Sequence, residues 1–333
     1  MDANGHHRGR HDERTQAGQV AESDRSQGLG NTISVVIRVR DAAKELDRCL
    51  CALKRQTLPD ARMLEIVVVD NESRDESRTV AVRHKTVVVA ISRADFTWGR
   101  ALNRGIARTH GDIVLLLSSD ATPADETWLK HMVEPFAEAD VAVVYGRQLP
   151  YRNAPIDERV RLARTFGTKP ISLDRDVHAN NPSGKGMGAS NACAAIRRTA
   201  WEEHPYDEQI SGGEEGPFTS HVLARGYRCL YQPSARVYHS HRENPWKMAC
   251  REWEILEKNA VYADVRIRVR TLVKWWAGVT MRRLVNCIRA DAPWYRRAEG
   301  VLRLPLELPA YVVVGLSMLR EQSRRRAREV FWR

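Results

Sequence analysis

Short runs of apolar, largely β-branched residues recur through the first half of the chain, and stretches with helical periodicity separate them. The runs that predict strands are residues 33–39, 65–69, 87–91, 113–117 and 141–145. Between the first two runs, Leu46, Leu50 and Leu53 recur at i, i+4 and i+7, which places them on one helix face. Residues 99–109 and 127–136 also predict helices. Because strands alternate with helices, the pattern predicts βαβ units and an α/β fold with a mainly parallel central sheet.

The pattern changes after Pro150. Residues 151–190 are rich in Arg, Asp, Asn, Pro and Gly, and so long an irregular segment is usually a functional loop. Shorter elements follow, predicted as strands at 190–196, 229–231 and 235–239 and as a helix at 217–226. Beyond Pro245 the sequence is helical again. We therefore predict a disordered tail over residues 1–30, an α/β domain over 31–244 and a helical C-terminal region over 245–333.

The net charge of +11 is concentrated in the C-terminal region. Residues 246–333 contain 19 Lys and Arg against 9 Asp and Glu, and they hold six of the nine tryptophans. Residues 304–319 are mostly apolar but contain Pro305, Glu307 and Pro309, and they fall short of the about 20 residues of a spanning helix. Trp and Arg on the same helices are typical of a membrane interface. The region predicts peripheral attachment to an anionic membrane surface, with packing on the α/β domain or on a partner subunit as the alternative.

The six cysteines are scattered and form no Cys-x-x-Cys pair. This spacing argues against a zinc ribbon or a disulfide framework and favours a reducing compartment. We therefore expect a cytoplasmic protein attached to the inner face of the cell membrane, and we leave a homo-oligomer open.

One carboxylate, Asp120, stands directly after the strand predicted at residues 113–117 and two serines. In open α/β sheets, ligands bind outside the carboxyl ends of the strands. A single acid at that position is suited to hold a divalent cation against a phosphate. The alternative is an ordinary turn aspartate.

Several motifs in order resemble those of family 2 inverting glycosyltransferases of GT-A fold, and in particular the rhamnosyltransferase-like branch. The resemblance covers roughly residues 32–242. It rests on residues 34–41 (SVVIRVRD), 65–75 (EIVVVDNESRD), 96–105 (FTWGRALNRG), 111–112 (GD), 119–123 (SDATP), 144–150 (VYGRQLP), 212–218 (GGEEGPF), 224–227 (ARGY) and 237–241 (VYHSH).

The resemblance implies transfer of a sugar from a nucleotide-diphosphate sugar to a hydroxyl of a lipid-linked or polymeric glycan, with inversion at the anomeric carbon. It also implies Mn²⁺ or Mg²⁺ as cofactor, held by Asp120 and His239, with His241 as the rival imidazole. The residues it assigns to the nucleotide sugar are Ile37, Arg38, Val39, Asp70, Ser73, Arg100, Asn103, Ser119 and Asp120. Those it assigns to the acceptor are Arg147, Ser190 and Asn191, and residues 181–191 would cover both substrates.

The general base implied by the resemblance is Glu215, with Glu214 as the second choice. An inverting displacement needs a carboxylate that takes the acceptor proton as its oxygen attacks. The sequence departs from the family in three places. Ser118 stands where Asp-x-Asp has its first acid, and Glu215 replaces an aspartate. In the first strand, Arg38 and Arg40 replace the proline and the aromatic residue or asparagine that are common in the family. The first departure leaves a catalytically inactive member open.

Two further classes remain as alternatives. A sugar nucleotidyltransferase should carry a glycine-rich, basic phosphate loop after the first strand, but residues 40–44 (RDAAK) contain no glycine. A basic nucleic-acid-binding protein fits the charge and the tryptophans. However, the excess positive charge lies outside the motif-bearing domain, so we expect no nucleic acid among the partners.

Overall fold

The computed structural model describes residues 30–58, 63–174, 190–210, 212–240, 246, 248–250, 253 and 269–331. The predicted tail, except for Gly30, and most of the predicted covering loop lie outside these residues. The chain divides into two compact units, one formed by residues 1–149 and 165–239 and the other by 150–164 and 240–333.

The first unit is built on a nine-stranded sheet. Its strands are β1 (Thr32–Val39), β2 (Met63–Asp70), β3 (Val87–Ala90), β4 (Ile113–Ser118), β5 (Thr122–Pro123), β6 (Val141–Leu149), β7 (Ile171–Leu173), β8 (Cys193–Arg197) and β9 (Arg228–Tyr238). Their order is β3-β2-β1-β4-β8-β6-β9-β5, and β7 pairs with β9. The helices of this unit are α1 (Ala43–Lys54), α2 (Ser77–Arg83), α3 (Trp98–Ile106), α4 (Trp128–Val133), α6 (Arg198–Glu203) and α7 (Glu215–Ala224).

The register of the parallel strands brings polar residues to one edge of the sheet. Val39 in β1 pairs with Asp70 in β2, and Arg38 pairs with Ser118 in β4. Because the three strands end together, Arg38, Asp70 and the turn that carries Asp120 all lie at the carboxyl edge. This is the edge where the sequence predicted a ligand site.

The core confirms the predicted helix face. Leu46, Leu50 and Leu53 are fully buried and pack in one cluster with strand residues such as Val35 and Leu115. Burying each such side chain stabilises the fold by about 1.5–3 kcal/mol. The α/β class and the parallel first half of the sheet are as predicted.

The second half of the sheet differs from the predicted pattern. β8 inserts antiparallel between β4 and β6, and the two strands predicted near residues 229–239 are the single strand β9. The ladder between β6 and β9 shifts register between Gly146 and Arg147, where β9 carries additional residues. Continuous pairing with β6 therefore turns the polar stretch around Pro233 into a bulge instead of a turn.

The second unit has its own helices and core. It contains α8 (Val269–Arg289), α9 (Trp294–Phe331) and α5 (Ile156–Thr165), except that the last residue of α5 belongs to the first unit. One apolar cluster includes Trp253, Val279, Tyr311 and Val314. Residues 150–164, predicted as part of the α/β domain, group with this unit because their side chains pack and pair within it.

Arg283 of α8 links the three helices of the second unit. Its Nε donates to Asp157 of α5 at 2.6 Å, and its NH1 and NH2 contact the carboxylate of Glu307 in α9. Glu307 is only 2% exposed. The charge that interrupts the apolar stretch of residues 304–319 therefore belongs to an internal ion cluster.

Candidate active site at the carboxyl edge of the sheet

Asp120 and His239 lie side by side at this edge. His239 Nε2 is 3.4 Å from Asp120 Oδ1, and the two side chains are 12% and 31% exposed. The pairing of Thr122 in β5 with Tyr238 in β9 brings the two segments together. The main-chain N–H of His239 also donates to the carbonyl of Leu149 at 2.9 Å.

Gln148 orients the imidazole of His239. Its amide oxygen lies 2.7 Å from His239 Nδ1, and Nε2 of the same ring faces the Asp120 carboxylate. An imidazole nitrogen and a carboxylate oxygen are both ligands that divalent metals take in proteins. The Gln148 contact is the outer-shell support that metal-bound histidines usually have. The residues therefore fit a divalent cation. The rival His241 lies outside the described residues.

A second group of metal-ligating side chains lies on α1 and at the end of α2. Asp47, Cys51 and His84 bring ligand atoms within 4.8 Å of one another. Hydrogen bonds from His84 and Arg83 to Asp47 lower the pKa of its carboxyl group. With that carboxylate already satisfied, the group acts as a polar link between the two helices.

Glu214 is held in place from two sides. Arg38 NH1 lies 3.1 Å from Glu214 Oε1, and Asn191 Nδ2 donates to the same oxygen at 3.2 Å. The guanidinium of Arg38 also lies 4.7 Å above the ring centre of Trp98. Arg38, Glu214 and Asn191 are all buried. The structure thus brings together Arg38, which was predicted to bind the nucleotide sugar, Glu214, the second choice for the general base, and Asn191, which was predicted to bind the glycan acceptor.

Glu215 is the first residue of α7 and is less buried than its neighbour. The positive end of the helix dipole favours a carboxylate there. The preceding Gly212 and Gly213 have φ values of 151° and 77°, which side chains other than glycine rarely adopt. This glycine-rich turn therefore sets the direction in which the chain enters α7 at Glu215.

Two buried tyrosines lie near these acids. Burial raises the pKa of Tyr145 and Tyr206 well above the usual value, and the charges of Glu214 and Glu215 add to the rise. Tyr145 shares a hydrogen bond of 2.8 Å with Thr219 of α7. Both phenols thus remain protonated and keep hydrogen-bonding capacity beside the acid pair.

Asp70 lies at the end of β2 and is 4% exposed. Its Oδ1 accepts from the Ser73 N–H at 3.3 Å, and Ser73 Oγ accepts from the Asp41 N–H at 3.1 Å. Next to it, Asn71 Oδ1 is buried and has no hydrogen-bond partner among the described residues. A buried orphan acceptor at this edge is suited to a ligand N–H or hydroxyl. The sequence analysis did not identify Asn71 as a site residue, although it directly follows Asp70.

Asp41 and Glu72 take the left-handed region at this end of the sheet, with φ values of 48° and 45°. Non-glycine residues rarely adopt it, and such strain often accompanies functional sites. The hydrogen bond between Arg93 N–H and Glu72 Oε2 at 2.9 Å holds one of the two turns.

Arg100 and Asn103 form a network with Glu208. Arg100 Nε and Asn103 Nδ2 donate to Glu208 at 2.9 and 3.0 Å, and these bonds lower the pKa of Glu208. Asn103 Oδ1 accepts from Trp201 Nε1 and from the Tyr206 N–H. Asn103 therefore orders the surrounding loop, and Arg100 is held by Glu208.

The remaining predicted residues lie as follows. The side chains of Ile37 and Val39 belong to the core, and the Ser119 N–H donates to the carbonyl of Arg38 at 3.1 Å. Ser190 Oγ accepts from the Ala192 N–H at 3.3 Å. Arg147 lines a separate cavity of the same unit. Gln148, which orients His239, is not among the residues predicted from the sequence. It belongs to the 144–150 motif, in which the alternation of side chains along a strand places it on the opposite face from Arg147.

The sequence matches a known family over about half of its length. A sequence profile described as Glycosyl transferase family 2 matches residues 34–204, about half of the chain. The O-antigen chain rhamnosyltransferase RfbN of Salmonella typhimurium is 31% identical over 219 residues, covering 64% of this chain and 68% of the relative. The O-antigen chain rhamnosyltransferase WbaN of Salmonella anatum is 28% identical over 184 residues, covering 54% and 58%.

Solved structures share the fold. The mannosyltransferase PcManGT from Pyrobaculum calidifontis, in complex with GDP-Man and Mn²⁺, superposes with a TM-score of 0.51 at 15% identity, covering 92% of this chain and 87% of that one. Glucosyl-3-phosphoglycerate synthase from Mycobacterium tuberculosis, in complex with Mg²⁺ and UDP, gives 0.52 at 18% identity, covering 75% and 84%. At these identities the likeness concerns the fold alone.

Proposed function

The chain belongs to glycosyl transferase family 2 and is a glycosyltransferase of GT-A fold, and from this premise we propose that it is an inverting rhamnosyltransferase. Its donor would be a nucleotide-diphosphate rhamnose, and its acceptor a hydroxyl of a lipid-linked or polymeric surface glycan. The names of the relatives RfbN and WbaN support both the sugar and the type of acceptor. The single observation that carries the catalytic assignment is the Asp120–His239 pair oriented by Gln148 at the carboxyl edge of the sheet.

Asp120 and His239 would hold the divalent cation. When bound, the cation would neutralise charge that develops on the leaving diphosphate. An imidazole in the ligand set favours Mn²⁺ over Mg²⁺, because nitrogen donors suit transition metals better. The Mn²⁺ and Mg²⁺ named for the two structural neighbours are consistent with either ion.

The donor nucleotide would lie over the ends of β1 and β2. The Asp70 carboxylate can accept a hydrogen bond from a base N–H or a ribose hydroxyl. The orphan Asn71 Oδ1 offers a second acceptor beside it. Ser73, which supports Asp70, would keep that carboxylate in position.

Glu215 would act as the general base. It would accept the proton of the acceptor hydroxyl as the oxygen attacks the anomeric carbon. Glu214 is a poorer candidate because Arg38 and Asn191 already bind its Oε1. We assign it to positioning the start of α7 and, with it, Glu215.

The second unit would attach the enzyme to the inner face of the cell membrane. One side of α9 exposes Leu302, Pro305, Pro309, Val312, Val313 and Leu316, at spacings that keep them on one helix face. Trp294 at the start of this helix is 75% exposed. An apolar stripe beside a surplus of Lys and Arg suits an anionic lipid surface.

No single helix among the described residues is both long and apolar enough to cross a bilayer. The length and hydropathy of a spanning segment are reached only when two parts of α9 are taken together, Trp294–Pro305 and Pro309–Ser317, and a bend of 43° separates them. We therefore assign α9 to the interface. Replacing Leu302 and Val313 by Glu should abolish cosedimentation with phosphatidylglycerol vesicles, while the same replacement of exposed Val82 and Met63 in the first unit should not. Unchanged cosedimentation of the first variant would contradict the assignment.

The catalytic proposal is tested by nucleotide-sugar binding. Thermal shift and donor hydrolysis are measured with dTDP-, UDP- and GDP-sugars in Mn²⁺ and in Mg²⁺. Wild type should be stabilised by one nucleotide class in a metal-dependent way, Asp120→Ala should lose that effect, and the exposed Asp291→Ala should retain it. If no nucleotide diphosphate stabilises wild type in either metal, the proposal is wrong. If dTDP-rhamnose transfers no sugar but another donor does, the rhamnosyl assignment is wrong and the reaction type stands.

A further inference from the structure

A polar cavity of about 350 Å³ lies in the first unit beside the bulge of β9. Its lining includes two arginines, one histidine, one aspartate and three hydroxyl side chains: Arg147, Arg236, His131, Asp125, Thr127, Thr168 and Ser234. A cavity with this composition is suited to a small, strongly hydrogen-bonding anion.

Arg147 is the unusual member of this lining. It is half-buried, and its Nε atom is fully buried without a hydrogen-bond partner. Within the described part of the chain, no carboxylate lies within ion-pair distance of its guanidinium. A cation removed from water without a partner is costly, so buried arginines are normally paired.

The other charges of the lining compensate one another. Arg236 NH2 lies 2.8 Å from Asp125 Oδ2, and the Thr127 hydroxyl donates to Asp125 Oδ1 at 2.7 Å. These contacts lower the pKa of Asp125 even though its burial acts in the opposite direction. The ion pair leaves the charge of Arg147 as the unbalanced one facing the cavity.

The cavity is linked to the catalytic edge through the chain. Asp125 lies just beyond β5, the short strand that follows Asp120, and Arg236 of β9 lies three residues before His239, which directly follows that strand. Arg147 itself is the neighbour of Gln148, which orients His239. The segments that carry the two candidate metal ligands therefore also form walls of the cavity.

We propose that this cavity binds a phosphate-type oxyanion, with Arg147 as its main ligand. A guanidinium matches two phosphate oxygens with parallel N–H groups, and the Thr168 and Ser234 hydroxyls can complete the coordination. The anion is either free inorganic phosphate or the phosphate of a lipid-linked acceptor. Only the second source rests on the proposed function.

The experiment uses the full-length protein, with inorganic phosphate and octyl phosphate as probes in isothermal titration calorimetry. Arg147→Gln should weaken phosphate binding about tenfold or more, because a hydrogen-bonded charge contact contributes about 1.5–3 kcal/mol. The matched control Arg78→Gln, an exposed arginine on α2, should bind as wild type does. Asp120→Ala should also retain phosphate binding, which separates this site from the proposed cation and donor site.

The two probes distinguish the sources. Tighter binding of octyl phosphate than of inorganic phosphate, lost in Arg147→Gln, indicates the phosphate of a lipid-linked acceptor, whereas equal affinities indicate free phosphate. Phosphate binding that is absent in wild type, unchanged in Arg147→Gln or lost in Asp120→Ala overturns the proposal. None of these three results depends on whether sugar transfer is detected.

Discussion

Arg38 and Glu214, which are 176 residues apart in the sequence, form a buried ion pair with an N–O distance of 3.1 Å. The pair joins the end of β1 to the residue before α7, and so connects the carboxyl edge of the sheet to the acid pair. It also distinguishes the two adjacent glutamates: Glu214 is engaged in the ion pair, whereas Glu215 is the first residue of the helix.

Arg38→Met should destabilise the first unit by about 3–5 kcal/mol, because it leaves the Glu214 charge buried without its partner. Arg38→Met combined with Glu214→Met should recover part of this loss. Urea unfolding is the measurement, and Arg40→Met, which removes an arginine whose side chain is 50% exposed, is the control. A loss of similar size in the control would contradict the buried-pair interpretation.

Glu215→Gln should keep donor binding and lower the rate of sugar transfer about 100-fold or more, because the amide cannot take the acceptor proton. Donor affinity is measured by calorimetry and transfer by product formation. Glu214→Gln keeps an oxygen for Arg38 and should retain more activity. The assignment of the base is wrong if the order of these two activities is reversed.

Gln148→Leu should weaken Mn²⁺ binding about 10- to 100-fold without unfolding the protein, because His239 loses the acceptor that orients its ring. Electron paramagnetic resonance of free Mn²⁺ reports the affinity. Replacing the exposed Gln209 by Leu controls for the loss of an amide elsewhere. Equal Mn²⁺ affinity of Gln148→Leu and wild type would exclude the proposed support of His239.

Glu208 should make stability depend on pH in the acid range. Hydrogen bonds from Asn103 and Arg100 lower the pKa of Glu208 in the folded state. Its contribution is therefore fully present above the unfolded pKa of about 4.3 and is lost as pH falls through the folded pKa. Glu208→Gln should be less stable than wild type near neutral pH, and the difference should shrink in acid. Denaturant unfolding near neutral pH and in acid tests this prediction. The control Glu202→Gln, at an exposed position, should show no such dependence on pH.

Gly146→Ala should destabilise the first unit by about 1–3 kcal/mol. A Cβ at this position would lie 2.4 Å from Cys193 Sγ and 2.7 Å from the carbonyl oxygen of Ala235. Gly167→Ala in the same unit meets nothing within 4 Å and should be neutral or slightly stabilising. Thermal unfolding should therefore show a lower midpoint temperature for Gly146→Ala than for wild type, and an unchanged or slightly higher midpoint for Gly167→Ala.

The local pattern of the sequence was sufficient for the first half of the sheet. The apolar runs predicted β1, β2 and β4, which are largely buried, and also β3, an edge strand of valines that is only partly buried. The leucine spacing in α1 predicted its core face. It was insufficient for β8 and β9. Antiparallel insertion and a bulged long strand depend on which distant strand supplies hydrogen bonds, and apolar periodicity carries no information about the partner.

For the site, the sequence by itself determined the residue types and their place at the carboxyl ends of strands, as for Asp70 and Asp120. The tertiary structure alone decided which of them meet. It set His239 against Asp120 through the β5–β9 pairing and engaged Glu214 with Arg38. It also left Arg147 beside a cavity, without an ion-pair partner among the residues that the structure describes. The physical reason is that the apolar runs and the polar residues that end them are local properties of the chain. The pairing of charges, in contrast, results from competition among side chains that only the folded packing brings within reach.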